Sequence, residues 1–240
     1  MDKIPATNRT LVLDLDECLI ETFHSYDDET YLKMALKFDP LDRSRFYRFN
    51  IYDSDQPRGL GLTETYWGIK RPYLDNFLAF AFRYFKNVIV WSAAKKEYVE
   101  QLVKNLFRDH PRPTMIFTRD DVTHVNRANR DYHKPISTIL KNVPKIKFED
   151  IVFIDDKADN FRDNPHNGIV IPRFDPQFDA ATERDDIRLL QIMQWLMLPE
   201  IVAASDFRKT DKSQIFLTPI RNRSIYQYQP DNGYPLQPLI

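Results

Sequence analysis

The feature that most constrains this chain is a set of short, unbroken apolar runs that do not alternate with polar residues. They are TLVL at 10–13, NVIVW at 87–91, MIFT at 115–118, DIVFID at 150–155 and GIVIP at 168–172. A strand with one wet face alternates, so runs of this kind must be covered on both faces. Helical patterns separate them. Residues 72–86 open with Pro72 in a first turn, where a missing N–H costs nothing. Residues 95–107 place Tyr98, Leu102 and Leu106 on one stripe with Val99 and Val103 beside it. Residues 135–143 and the strongly apolar 185–198 complete the set. From Arg71 onward the order is α-β-α-β-α-β-β-α, which predicts an α/β fold with a doubly wound parallel sheet. Between the first run and that series lies a polar stretch, 23–66. Only FYRFNIY at 46–52 alternates there, and it predicts a half-buried strand.

Charge and composition exclude several classes. Lys plus Arg is 34 and Asp plus Glu is 35 in 240 residues, so there is no excess cation to drive non-specific binding to nucleic acid, and none is expected. The five glycines form neither a P-loop nor a dinucleotide fingerprint. A single cysteine, Cys18, leaves no intramolecular disulfide and no Cys-rich zinc site. No apolar run has the length of a membrane span, and the first ten residues lack a signal-peptide core, so a soluble intracellular protein is expected. We expect one domain over 1–204. The segment 205–240, with Pro219, Pro230, Pro235 and Pro238, reads as a tail, poorly ordered or laid along the domain surface.

Open α/β sheets bind ligands beyond the carboxyl ends of their strands. The residues at those ends here are Asp14 and Asp16, then Ser92, then Arg119, then Asp155 and Asp156, with Lys134 at the start of a helix between the third and fourth strands. Clustered carboxylates repel, so a hard cation is the expected neutraliser. An all-oxygen donor set with few protein ligands suits Mg²⁺ shared with a phosphate. A carboxylate can also act as a nucleophile toward phosphorus, provided cations cancel the charge of two meeting anions.

The sequence D-L-D-E-C-L, the W-S-A-A stretch, Lys134 and F-I-D-D resemble, in order, the four motifs of the haloacid dehalogenase superfamily. Within it, the chain is most similar to the FCP/SCP phosphatases that act on the RNA polymerase II C-terminal domain, the NLI-interacting-factor-like group. Lys70-Arg71-Pro72 with Phe77-Leu78 resembles that group's K-R-P-x-x-x-x-F-L pattern, and the likeness runs from about Thr10 to Leu198 outside 23–66. The resemblance implies Asp14 as nucleophile and Asp16 as general acid, then base. It implies Mg²⁺ held by Asp14, the Asp16 carbonyl and Asp156, with Asp155 as ligand or partner. It also implies Ser92, Lys134 and Arg119 as phosphate-binding residues. Two positions depart from the pattern: Cys18 stands where the group has Thr, and Asp156 where it has Asn.

The segment 23–66 falls where this superfamily inserts its cap. So small a cap leaves the site open, which suits a phosphorylated side chain on a protein rather than an engulfed metabolite. Its aromatics, Tyr31, Phe38, Phe46, Tyr47, Phe49, Tyr52 and Tyr66 with the adjoining Trp67, either pack the cap or line a groove for an extended peptide. The expectation is a Mg²⁺-dependent protein serine/threonine phosphatase working through an aspartyl-phosphate, nuclear or cytoplasmic, with the polymerase C-terminal domain as one substrate the resemblance implies. Two alternatives are a phosphopeptide-binding scaffold on the same fold and a small-molecule phosphatase.

Overall fold

Strand β1 (Thr10–Leu13) lies at the centre of a five-stranded sheet in the computed structural model, which describes residues 7–24, 43–52, 63–126, 131–176 and 186–220. Two short antiparallel strands follow β1 and its acid turn: β2 (Ile20–His24) and β3 (Phe46–Tyr52). They pair on either side of β4 (Thr63–Lys70) as a separate three-stranded sheet. Then come α1 (Leu74–Tyr84), β5 (Asn87–Trp91), α2 (Lys96–Leu106) and β6 (Met115–Phe117). A small hairpin, β7 (Thr123–Asn126) with β8 (Asp131–His133), precedes α3 (Ile136–Asn142). The series ends with β9 (Ile151–Asp155), β10 (Gly168–Val170), α4 (Arg188–Leu196) and the short α5 (Pro199–Val202).

The large sheet runs β10-β9-β1-β5-β6, all parallel. Its apolar runs are continuous because both faces are covered. Leu11 and Leu13, Val88 and Val90, and Val152 and Ile154 point to the face carrying α1, α2 and α4. Val12, Ile89 and Trp91, and Ile151 and Phe153 point to the other, where Ile136 and Ile139 of α3 close over them. Every apolar residue named on these three strands is at most 1% exposed, so the doubly wound sheet predicted from the sequence is observed.

The sequence reading does not contain β2, β4 or the β7–β8 hairpin. Ile20 is buried but 21–24 are partly or fully exposed on both sides, and 63–70 mixes Thr, Glu and Gly into its alternation, so neither carries a clear period. Phe46, Tyr47, Phe49 and Trp67 are all buried, which makes them packing residues of the three-stranded sheet rather than an open groove. Tyr31 and Phe38 lie outside the described residues.

Residues 205–220 lie along the domain and contribute to its core. Phe207 and Ile215 are fully buried in the main core. The indole of Trp195 donates to the Asp211 carbonyl at 3.1 Å, and Gln191 donates to the Thr218 carbonyl at 2.9 Å. Residues 221–240 lie outside the described residues. No described helix is long and apolar enough to cross a membrane.

Candidate active site

Asp14 extends β1 by one residue: its N–H donates to the Ile154 carbonyl at 3.0 Å, so its side chain emerges at the carboxyl edge of the sheet. The chain must then reverse quickly. The N–H groups of Leu19 and Ile20 both donate to the Leu15 carbonyl, and Glu17 takes a left-handed φ of 61° within that turn. Arg71, 1% exposed, holds the turn from below. Its guanidinium donates to the carbonyls of Cys18 and Pro172, each at 2.8 Å, and to Asp186 at 2.9 Å. Cys18 is wholly buried, its thiol 3.9 Å from the Ile154 carbonyl, a weak contact at the base of the same turn.

Lys134 reaches the edge from the end of the β7–β8 hairpin. It is 1% exposed and donates to Asp14 Oδ1 and Asp155 Oδ2, both at 2.7 Å. One buried cation therefore ties the first strand end to the fourth. The remaining oxygen of Asp155 accepts from the Lys157 N–H at 2.9 Å and from Asn160 at 2.7 Å. With both its oxygens engaged, Asp155 acts as a partner for Lys134. Asp156 differs: its Oδ1 is buried and has no hydrogen-bond partner.

Asp14, Asp155 and Asp156 each place a carboxylate oxygen within 4.8 Å of the others. Three acids face one lysine, and the electrostatics show the imbalance. Burial pushes the Asp14 carboxyl up to about 8, with Lys134 pulling it down and Asp155 pushing it further up. Asp156 is pushed up to about 6, by burial first and then by Asp155. Lys134 is raised by the two carboxylates it serves, although burial opposes this. An all-oxygen set, an excess of negative charge and an orphaned buried oxygen on Asp156 together fit a divalent cation of the Mg²⁺ type.

Asp16, two residues on, is half-buried and lies on the side of the three-stranded sheet. Its Oδ1 accepts a hydrogen bond from the Tyr98 hydroxyl at 2.6 Å. Burial raises its pKa, against the Tyr98 and Thr22 hydroxyls, which favour the ionised form. Ser92, 2% exposed, sits at the end of β5; its Oγ accepts from the Ala94 N–H at 3.2 Å, which leaves the hydroxyl proton free to donate. Arg119 stands apart. It is exposed in the turn after β6, anchored through its backbone N–H to the Ala94 carbonyl at 3.0 Å, and among the described residues its side chain forms no hydrogen bond with the carboxylates. His133, next to Lys134, turns away to Asp163 at 2.8 Å.

Three residues at the site have no functional role in the sequence reading. Asn160 and Lys157 follow F-I-D-D in a loop without a pattern of its own. Tyr98 shares a helical stripe with Leu102 and Leu106, so periodicity marks its ring and hides its hydroxyl.

A family model described as NLI interacting factor-like phosphatase matches residues 9–208. Two solved structures share the fold at low identity. The structure of Fcp1, an essential RNA polymerase II CTD phosphatase, is 18% identical with a TM-score of 0.52 over 79% of this chain and 50% of that one. A variant of the fission yeast RNA polymerase II CTD phosphatase Fcp1, bound to beryllium fluoride, is 15% identical with a TM-score of 0.51 over 79% of this chain and 51% of that one. This chain thus spans about half the length of either. Among curated proteins none matches it.

Proposed function

The chain belongs to the NLI interacting factor-like phosphatase family, and from that premise we propose that it is a Mg²⁺-dependent phosphoprotein phosphatase working through an aspartyl-phosphate on Asp14. The observation that carries this reading is Lys134, buried and 2.7 Å from both Asp14 and Asp155, beside the unpartnered oxygen of Asp156. A merely structural ion pair has no need of a third acid.

In this reading Asp14, the Asp16 carbonyl and Asp156 hold Mg²⁺. Bound there, Mg²⁺ supplies positive charge that keeps Asp14 ionised and offsets the charge of the phosphate. Asp14 Oδ1 is occupied by Lys134, so Oδ2 attacks phosphorus. The phosphorus–oxygen bond to the substrate side chain breaks as the new bond forms, and Asp16 gives its proton to the departing oxygen. Water then attacks the aspartyl-phosphate, its proton passing to Asp16, and inorganic phosphate leaves. Ser92 and Lys134 bind the phosphoryl oxygens, with Arg119 meeting them from the rim. Asp155 orients Lys134.

The substrates are phosphoserine or phosphothreonine in an exposed protein segment. The phosphorylated C-terminal domain of RNA polymerase II is a candidate because it is the substrate named for both structural neighbours. The test is phosphate release from p-nitrophenyl phosphate with Mg²⁺ and with chelator. Asp14→Asn should lose about 10³-fold or more in kcat while remaining folded. Full turnover in that variant would overturn the mechanism. A folded, Mg²⁺-replete wild type that retains a phosphoserine peptide without cleaving it would overturn the enzyme reading in favour of a binding module.

A further inference from the structure

Asp16 is tethered from an element outside its own turn. Tyr98, on the second residue after the start of α2, donates to Asp16 Oδ1 at 2.6 Å. The Thr22 hydroxyl, on β2, favours the ionised form of the Asp16 carboxyl and lies 2.6 Å from the Tyr47 hydroxyl on β3. The Thr22–Tyr47 contact depends on a gap in β4. Thr22 and Tyr47 are the two cross-strand neighbours of Gly68, and a Cβ at Gly68 would collide with the Tyr47 hydroxyl and ring. Only glycine there lets Tyr47 lie across the strand to Thr22. Tyr98 is fixed in turn by rings of the same small sheet, with Phe49 at 5.8 Å and Tyr66 at 5.3 Å between centroids.

We propose that Tyr98 is a positioning residue for Asp16, holding Oδ1 so that Oδ2 is the oxygen that passes a proton to the departing side-chain oxygen of the substrate. This rests on the phosphatase reading above. A free aspartate samples several rotamers, few of which aim a proton at the leaving group; a carboxyl held through one oxygen presents the other in a fixed direction. The three-stranded sheet thereby contributes to the chemistry without a charged residue of its own at the reacting atoms.

The chemistry gives a readout that loose packing would not reproduce. An alkyl phosphate must have its leaving oxygen protonated as the phosphorus–oxygen bond breaks, whereas p-nitrophenolate leaves as an anion without help. The quantity kcat/KM covers only steps up to that cleavage, so the later hydrolysis of the aspartyl-phosphate does not enter it. Tyr98→Phe removes the hydroxyl and keeps the ring. It should lower kcat/KM on a phosphoserine peptide by about 10-fold, against about twofold on p-nitrophenyl phosphate. Asp16→Asn should show the same split, larger. Phe49→Leu loosens the ring packing that sets Tyr98 and keeps the test standing should Tyr98→Phe fail to fold, since it should show the same split, smaller.

Equal losses on the two substrates, or none, in a wild type that is active and Mg²⁺-dependent would overturn the inference alone. A wild type inactive on both substrates would overturn the phosphatase reading and the inference with it.

Discussion

At the carboxyl edge of the five-stranded sheet the functional contacts are made between full charges. At the contact with the three-stranded sheet they are made by hydroxyls and rings. Lys134 bridges two carboxylates at 2.7 Å with all three groups buried, so their geometry is fixed by strong, charge-assisted bonds on rigid strands. Asp16 is instead held by Tyr98, whose ring is set by the aromatics Phe49 and Tyr66 of the small sheet. On the proposed mechanism the first arrangement would fix where phosphate and metal sit, because buried charges tolerate no slack. The second would aim a single proton, which needs direction rather than field. The same carboxylate chemistry, two residues apart in the chain, is thus governed by two different kinds of scaffold.

The sharpest way to break the comparison is Lys134→Met. It leaves Asp14 and Asp155 facing each other, buried, without their cation. Removing one partner of a buried pair costs about 3–5 kcal/mol, read by urea unfolding near neutral pH. Phosphate release should fall by about 10³-fold at the same time. A stability loss below about 1 kcal/mol would mean that water reaches the edge and relieves the carboxylates. The matching change in the small sheet is Phe49→Ala, at a ring only 7% exposed that packs on Tyr66 and Tyr98. The expected cost is about 3 kcal/mol from the cavity. Here the loss of kcat/KM should be larger on a phosphoserine peptide than on p-nitrophenyl phosphate. An equal loss on both would show that the small sheet supports the whole site rather than Asp16.

The two regions also differ in how legible they are in the sequence. Strands buried on both faces leave continuous apolar runs, so β1, β5, β9 and their helices can be placed, and topology then delivers Asp14, Lys134, Asp155 and Asp156 to one edge. Motif order alone finds those residues because each is fixed by its own strand end or helix start. The three-stranded sheet leaves little trace. Its β2 is half-exposed on a short span, and β4 interrupts its alternation with Gly68, the residue that the Tyr47–Thr22 contact requires. Tyr98 carries two jobs on one side chain, a ring that follows the helical period and a hydroxyl that does not. The Asp16 tether is therefore a contact between the acid turn and α2, segments distant in sequence, and no local pattern encodes it. Arg119 shows the opposite case. Its place after MIFT puts it at a strand end, yet the turn leaves its side chain exposed and off the carboxylates.

A smaller effect is expected where the two regions share a turn. Cys18 lies wholly buried under it, its thiol 3.9 Å from the Ile154 carbonyl of β9. Cys18→Thr replaces a weak donor by a hydroxyl. It should stabilise the fold by up to about 1 kcal/mol in thermal unfolding, provided the added methyl is accommodated. Turnover should change by no more than about threefold, since the turn stays held by Arg71 whichever residue stands at 18. A clear destabilisation would show that the turn is packed too tightly for a branched side chain.

The last prediction concerns the rim of the small sheet, where the proton logic can be tested without touching the site. Glu21 on β2 has one carboxylate oxygen, Oε2, buried without a hydrogen-bond partner. Burial, and then the charge of Glu17, push its carboxyl from the ordinary 4.5 up to about 7, with Arg173 offsetting part of this. The sign follows from linkage. The fold favours the neutral acid, so the stabilisation from this group is fully present below pH 4.5 and is lost as pH rises through 7. Glu21→Gln, which keeps the neutral shape, should match wild type in acid and exceed it above pH 7. Because Glu21 is half-exposed, screening reduces the difference to about 1 kcal/mol or less. Parallel Tm–pH curves for the two proteins would show that the oxygen is solvated. A divergence in favour of the variant above neutrality, with kcat/KM on a phosphoserine peptide unmoved, would show that the small sheet bears its strain at Glu21 apart from the aim it gives Asp16.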